Sequence, residues 1–174
     1  NEPSGGKEPS RRRAARAVAR AVALCALAAA VVAAMEPPPP RGADAPHDAF
    51  SAARAMDDVR WIAAAPHPPG TDAHRAVRER LVARLTLLGW DARTVRRKVA
   101  RRVGESVVAC DTANVVAVPR TPAPPGTVPL ILAAHYDSHG TGPGAGDDAA
   151  GVASLLEVVR ALGSDPPPGL RVLV

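Results

Sequence analysis

Val128-Pro129-Leu130-Ile131-Leu132-Ala133-Ala134-His135-Tyr136-Asp137-Ser138 is the stretch whose reading decides the fold. Its first seven residues are a continuous apolar run, the pattern of a strand buried on both faces of an α/β sheet. The run ends in four polar residues, so chemistry-bearing groups cluster at its carboxyl end, where open α/β sheets place their ligand sites. A glycine-rich loop, Gly140–Gly146, follows, and then Asp147-Asp148-Ala149-Ala150-Gly151. Beyond it Val152, Leu155, Leu156, Val159 and Leu162 recur at helical spacing and Gly163 supplies a stop signal. The order is strand, polar end, flexible loop, acidic pair, helix.

His135 and Asp137 are two residues apart, a spacing that suits an imidazole binding a metal through one nitrogen while a carboxylate holds the other N–H and fixes the tautomer. The glycine loop is flexible enough to fold back and bring a carboxylate beside His135. Each piece has a plainer reading: a histidine after a strand is often only hydrogen-bonded, and acids are favoured at a helix start as caps. Capping accounts for one aspartate of Asp147-Asp148. It does not account for the whole assembled order.

Working outward, the spacing predicts a helix over about Ala49–Ala64, ended by Pro66, and a second one capped by Thr71 or Asp72. In the second, Val77, Leu81, Leu85 and Leu88 form one buried stripe with arginines between them, and Gly89 closes it. Val- and Thr-rich stretches at Trp90–Val99 and Ser106–Val118 read as two strands, the second antiparallel or at a sheet edge. Arg93, Arg96, Arg97, Lys98, Arg101 and Arg102 are expected on the connection between them as a solvated hairpin. No aromatics interleave to stack on bases, so a nucleic-acid partner is not expected.

The net charge of +5, from 22 basic and 17 acidic side chains, sits at the amino end. Residues 1–20 hold Lys7, Arg11, Arg12, Arg13, Arg16 and Arg20 against Glu2 and Glu8, which leaves the remainder nearly neutral. An uncharged run, residues 21–35, comes next, followed by Glu36 and Pro37–Pro40. Basic flank, apolar stretch and polar break are the order of a signal peptide or signal anchor. Residues 21–35 alone fall short of the roughly 20 that span a bilayer; Ala17–Ala19, with Arg20 snorkelling, extend them. The expected organisation is a basic leader (1–20), an apolar membrane segment (21–35), a Pro-rich linker (36–48) and a catalytic-type domain (49–174). The positive-inside rule puts that domain across the membrane, anchored or exported, on the extracytoplasmic side. Two cysteines, Cys25 and Cys110, exclude a disulfide scaffold and a Cys-rich zinc module.

The residues also carry a resemblance. Ala134-His135-Tyr136-Asp137-Ser138, Gly142-Pro143-Gly144-Ala145-Gly146-Asp147-Asp148-Ala149-Ala150-Gly151-Val152, Leu156-Glu157 and Arg160-Ala161-Leu162 are similar to the first half of the catalytic domain of metallopeptidase family 28. This is the co-catalytic di-zinc aminopeptidase family. Pro66-His67-Pro68-Pro69-Gly70-Thr71 and Asn114-Val115-Val116-Ala117 resemble that family's upstream loop and strand.

The resemblance implies a three-layer α/β/α fold with a mixed, mostly parallel sheet, incomplete at the carboxyl end. It implies two zinc ions, His135 as a ligand of one, Asp147 as the carboxylate bridging both, and Asp137 as the acid orienting His135. Asp148 would be structural at the site, the Asp147–Asp148 peptide cis, His139 a residue of the pocket, and His67 a structural loop residue. The implied reaction is release of N-terminal residues from a peptide substrate by a metal-activated water.

The family's general base and next ligand are a Glu-Glu pair just after the following strand, with a further acid and a histidine later. Leu170–Val174 reads as that strand, so the general base is absent from this chain. Residues 1–174 alone are expected to be inactive and poorly folded, with Leu170–Val174 short of neighbours. Two other readings compete. One is a non-catalytic peptidase-like receptor or scaffold ectodomain, which has no need of four polar groups at a strand end. The other is a glutaminyl cyclase-like acyltransferase with one zinc, which shares the His-x-Asp start.

Overall fold

The computed structural model describes residues 10–163 and 165–174. Residues 1–9 of the basic leader, Lys7 among them, lie outside the described residues. The chain divides into two compact units, residues 1–39 and 40–174.

The first unit is one helix, α1 (Ser10–Ala34). The helix runs through Arg12, Arg13, Arg16 and Arg20 without a break, because alanine and arginine are both strong helix formers. Its stretch Arg12–Ala34, 23 residues, is long and apolar enough to cross a membrane. That is longer than the uncharged run, since the basic end is helical too.

The second unit contains α2 (Ala52–Ile62), α3 (Asp72–Leu87), β1 (Trp90–Val103), β2 (Ser106–Pro119), β3 (Leu130–Ala133), α4 (Ala150–Leu162) and β4 (Leu170–Leu173). Two helix starts are fixed by side chains that accept an otherwise unpaired N–H. The Ser51 hydroxyl accepts from Arg54 N–H at 3.2 Å and the Thr71 hydroxyl from His74 N–H at 3.2 Å. Helix α2 therefore starts later than its composition suggests.

The sheet runs β1-β2-β4-β3. β1 and β2 are a long antiparallel hairpin, with Trp90 opposite Pro119 and Val103 opposite Ser106, turned at Gly104 (φ +61°). The basic cluster thus lies on β1 itself and not on a connection, because strand pairing continues to the tip. β4 is antiparallel to β2 and parallel to β3, pairing Val172 with both Ala117 and Leu132. Leu170–Leu173 is therefore flanked on both sides, which corrects the expectation that it lacks neighbours. The sheet is mixed, as expected, but only one of its three pairings is parallel, because the hairpin and its junction with β4 are both antiparallel.

Burial follows the two-residue period of the strands. Trp90, Val115, Ala117, Leu170 and Val172 are buried on one face and join Ile62, Leu81, Leu85, Val152, Leu156 and Val159 of the helices in a single core. The other face carries Arg93, Ile131 and Arg171, all exposed. The described residues thus form two layers of the expected three. Among the described residues β3 is an edge strand: Leu130 and Ile131 are 59% and 53% exposed, so the apolar run is not buried on both faces.

Arg78 and Glu157 are among the charged groups buried where the pattern suggests solvent. Arg78 of α3 is buried within the stripe of Leu81 and Leu85, and its charge opposes the desolvation that raises the Tyr136 phenol. Glu157 of α4 is 2% exposed and is the centre of a clamp. It accepts from Ser51 N–H (2.8 Å), Arg54 Nε (3.0 Å) and Arg160 Nε (2.6 Å). The two guanidiniums then donate outward to the carbonyls of Ala43, Ala45, His47 and Ala49. The Pro-rich approach to α2 is thereby stapled onto α4. Burial alone would raise the Glu157 carboxyl, but bonds from Arg160, Ser51 and Arg54 hold it below the ordinary glutamate value.

Candidate metal centre

β3 ends at Ala133, and the backbone continues past Ala134, whose N–H still donates to Leu173 (3.1 Å). His135 is thus delivered at the strand's carboxyl end, at the sheet edge. On the other side of the loop, Gly144 adopts φ +71°, and a Cβ there would meet the Asp147 carbonyl at 2.8 Å and Ser138 Cβ at 2.9 Å. Glycine is required both for the dihedral and for the close approach. This fold-back is closed by Ala149 N–H donating to the Gly144 carbonyl (3.0 Å). It returns Asp147 and Asp148, joined by a cis peptide, to His135.

The resulting geometry brings four of the sequence-selected residues together. His135 Nε2 is 2.9 Å from Asp147 Oδ1, and His135 Nδ1 is 3.3 Å from Asp137 Oδ1. His135 N–H donates to Asp148 Oδ2 at 3.3 Å, and the other oxygen of Asp148 accepts from Gly151 N–H at 3.1 Å. A Cβ on Gly151 would fall 2.2 Å from Asp148 Oδ1, so a side chain there would displace that carboxylate. Asp148 is a brace between strand end and helix start, while Asp147 projects outward, 93% exposed.

His139 is exposed and lines the same open cleft of about 500 Å³ as His135, Asp137 and Asp147, with Pro68 and Pro69 opposite. Its Nδ1 is 2.8 Å from the Thr141 hydroxyl, so it is engaged within the loop. His67 is buried, its Nδ1 2.8 Å from the Ala65 carbonyl, and its N–H donates to the Ser138 hydroxyl at 2.7 Å. It ties the proline loop to the strand end.

Sequence reasoning missed His74, which is buried and stacked on Tyr136 with ring centroids 4.5 Å apart and planes within 5°. Tyr136 in turn donates to the Ala113 carbonyl. The helical spacing of His74, Arg78, Leu81 and Leu85 was the available signal, obscured because two of the four are polar.

Electrostatically the centre is unbalanced. Asp137, Asp147 and Asp148 surround one imidazole. Partial desolvation opposes protonation of His135, but the hydrogen bond to Asp147 and the charges of the three aspartates hold it above its ordinary value. Such a cluster attracts a cation.

The donor set fits zinc, which takes imidazole nitrogen and carboxylate oxygen. Two donors on one tetrahedral zinc, each at about 2.0–2.1 Å, lie roughly 3.3 Å apart. The observed 2.9 Å is within a small side-chain adjustment of that. Asp137 stands where a carboxylate orients a metal-bound histidine. Among the described residues no group of three or more His, Cys, Asp or Glu converges on one metal position.

A vacuolar membrane protease of Coprinopsis cinerea is 33% identical to this chain over 128 residues, covering 64% of the chain and 12% of the relative. The glutaminyl cyclase of Porphyromonas gingivalis is 33% identical, with a TM-score of 0.57, covering 71% of the chain and 44% of that structure. A Zn-dependent exopeptidase from Parabacteroides distasonis shares the fold, with a TM-score of 0.54 at 24% identity over 71% of the chain and 46% of that structure. The chain thus spans about an eighth of the curated relative's length and under half of each solved structure. The model of Peptidase family M28 matches residues 114–174, from within β2 through β4.

Proposed function

We propose that residues 49–174 supply one side of the metal centre of a zinc-dependent metallopeptidase, an aminopeptidase that removes N-terminal residues from peptides. The observation that carries this is the convergence of His135 Nε2 and Asp147 Oδ1 at 2.9 Å with Asp137 on the far nitrogen. His135 and Asp147 would hold zinc, Asp147 serving as the bridge in a two-zinc arrangement. Asp137 keeps the imidazole in the tautomer that presents Nε2, Asp148 braces the loop against the strand, and His139 borders the cleft that receives the peptide. Zinc, when bound, lowers the pKa of a water and stabilises the negative charge that develops on an attacked carbonyl. The excess negative charge of the centre also favours the cationic α-amine of a peptide. Helix α1 is proposed to anchor the protein in a membrane, with the domain on the extracytoplasmic side.

Glutaminyl cyclisation is the second reading, favoured by the 33% identity to a glutaminyl cyclase. A single comparison tests both. Zinc per chain is measured in a polypeptide that extends residues 1–174 by the acid pair and histidine implied by the family. Release of amino acid from an aminoacyl amide and cyclisation of an N-terminal glutaminyl peptide are then assayed side by side. Two zincs, amide hydrolysis, and loss of both in His135→Ala are expected. One zinc with cyclisation alone transfers the proposal to the second reading, and no zinc sinks both. Residues 1–174 by themselves, with two converging donors, are expected to show no turnover.

A further inference from the structure

We infer that the outer half of the β1–β2 hairpin is an interfacial arm that lies on anionic phospholipid headgroups. Beyond Val95 and Asn114 the hairpin leaves the core, yet pairing continues through Val103 and Ser106, and every residue from 96 to 111 is exposed. Along β1, Arg93, Val95, Arg97, Val99, Arg101 and Val103 alternate at every second position, so all six belong to one face. The register places Asn114, Thr112, Cys110, Val108 and Ser106 of β2 on that same face. It carries no carboxylate among the described residues between Arg93 and Val103. The arm's two acids are elsewhere, Glu105 in the turn and Asp111 opposite Lys98 on the reverse face.

Arginine alternating with valine suits a lipid–water boundary. The guanidiniums sit at phosphate level while their stems and the valines enter the acyl boundary. Val99, Val103 and Val108 are 45–58% exposed, an apolar load that a hairpin designed only for water has no reason to display. Edge protection by charge explains the arginines of β1 but not these valines. No arm cation is within ion-pair distance of a carboxylate among the described residues. Nucleic acid fits less well, because residues 91–119 include no aromatic side chain on which bases could stack. The inference rests on the proposed membrane anchoring by α1 only for the high local concentration of bilayer that anchoring provides.

Cys110 lies on the arginine-valine face, opposite Val99, and is exposed. In the full chain carrying Cys25→Ser, an environment-sensitive dye on Cys110 reads contact directly. The chain is mixed with vesicles of phosphatidylcholine alone or of phosphatidylcholine with phosphatidylglycerol, both doped with a headgroup-proximal spin-labelled quencher. Quenching is expected only with phosphatidylglycerol, and it is abolished in molar salt. Arg97→Gln with Arg101→Gln keeps the fold by circular dichroism and weakens partitioning about fivefold per cation removed. Resistance of the same vesicles' protein to alkaline carbonate extraction reports α1 insertion separately. Quenching without insertion retains the arm and removes the anchor. Insertion without quenching, equal quenching in both lipids, or a response to duplex DNA or an acidic polypeptide but not to phosphatidylglycerol overturns the inference.

Discussion

Helix α4 carries two carboxylate clusters, one at its start and one along its body, and they are built on opposite plans. At the start, Asp137, Asp147 and Asp148 surround a single imidazole that is 51% exposed. Along the body, Glu157 is 2% exposed and receives two guanidiniums and a backbone N–H. The second cluster is closed, neutralised and fully hydrogen-bonded. The first is open and carries surplus negative charge. Residues that serve only the fold are satisfied by the fold, whereas the strand-end cluster keeps a negative charge that the proposed cation would offset.

The largest expected effect breaks the closed cluster. Glu157→Ala leaves Arg54 and Arg160 without their shared carboxylate and frees the Pro-rich segment they staple. A loss of about 3–5 kcal/mol in urea denaturation is expected. A loss under about 1 kcal/mol would show that the carbonyl bonds alone hold the staple. At the open cluster the same chemistry should cost almost nothing in stability. Asp137→Asn is expected to change unfolding free energy by no more than about 0.5 kcal/mol, while zinc affinity in the extended polypeptide falls about 10–100-fold. Equal effects on both quantities would erase the distinction between the two plans.

The smallest effect is a pH dependence that separates two buried groups. The Glu157 pKa is depressed in the folded chain, so its stabilisation is present above the ordinary glutamate value of 4.5 and is lost as pH falls through the folded value. Desolvation and the neighbouring Arg78 lower the pKa of His74 as well. Its contribution is present above 6.5 and declines as pH falls toward the depressed value. Denaturation midpoints should therefore fall in two steps on acidification, the first absent in His74→Gln and the second absent in Glu157→Gln.

Much of the open cluster was legible in the sequence. A strand running into His-x-Asp, a loop with glycine where the backbone must turn back, and a helix after an acidic pair are local patterns, and the structure assembles them within residues 130–162. The closed cluster was not legible, because its partners come from Ser51 and Arg54, more than a hundred residues away. Glu157 and Arg160 stand three residues apart on one helix, a spacing that carries no signal of Ser51 or Arg54. The edge position of β3 was hidden too: seven apolar residues in a row describe a strand that can be covered, and pairing decides which sides are. The hairpin's length was underestimated because charge was taken as the end of a strand, whereas cross-strand pairing carries the ladder past it.

The strand order has a consequence in time. Among the described residues β3 has one partner, β4, and roughly forty residues of chain separate Leu130 from Leu170. At about 5–20 residues per second, a ribosome takes roughly two to eight seconds to cover that distance. Throughout that interval His135, Asp147 and the loop between them exist with no ladder to hold their strand. Helix α1 has by then long been made. The apolar helix is thus complete before the strand-end cluster has a shape, and a cation met early would find flexible donors in place of a fixed corner.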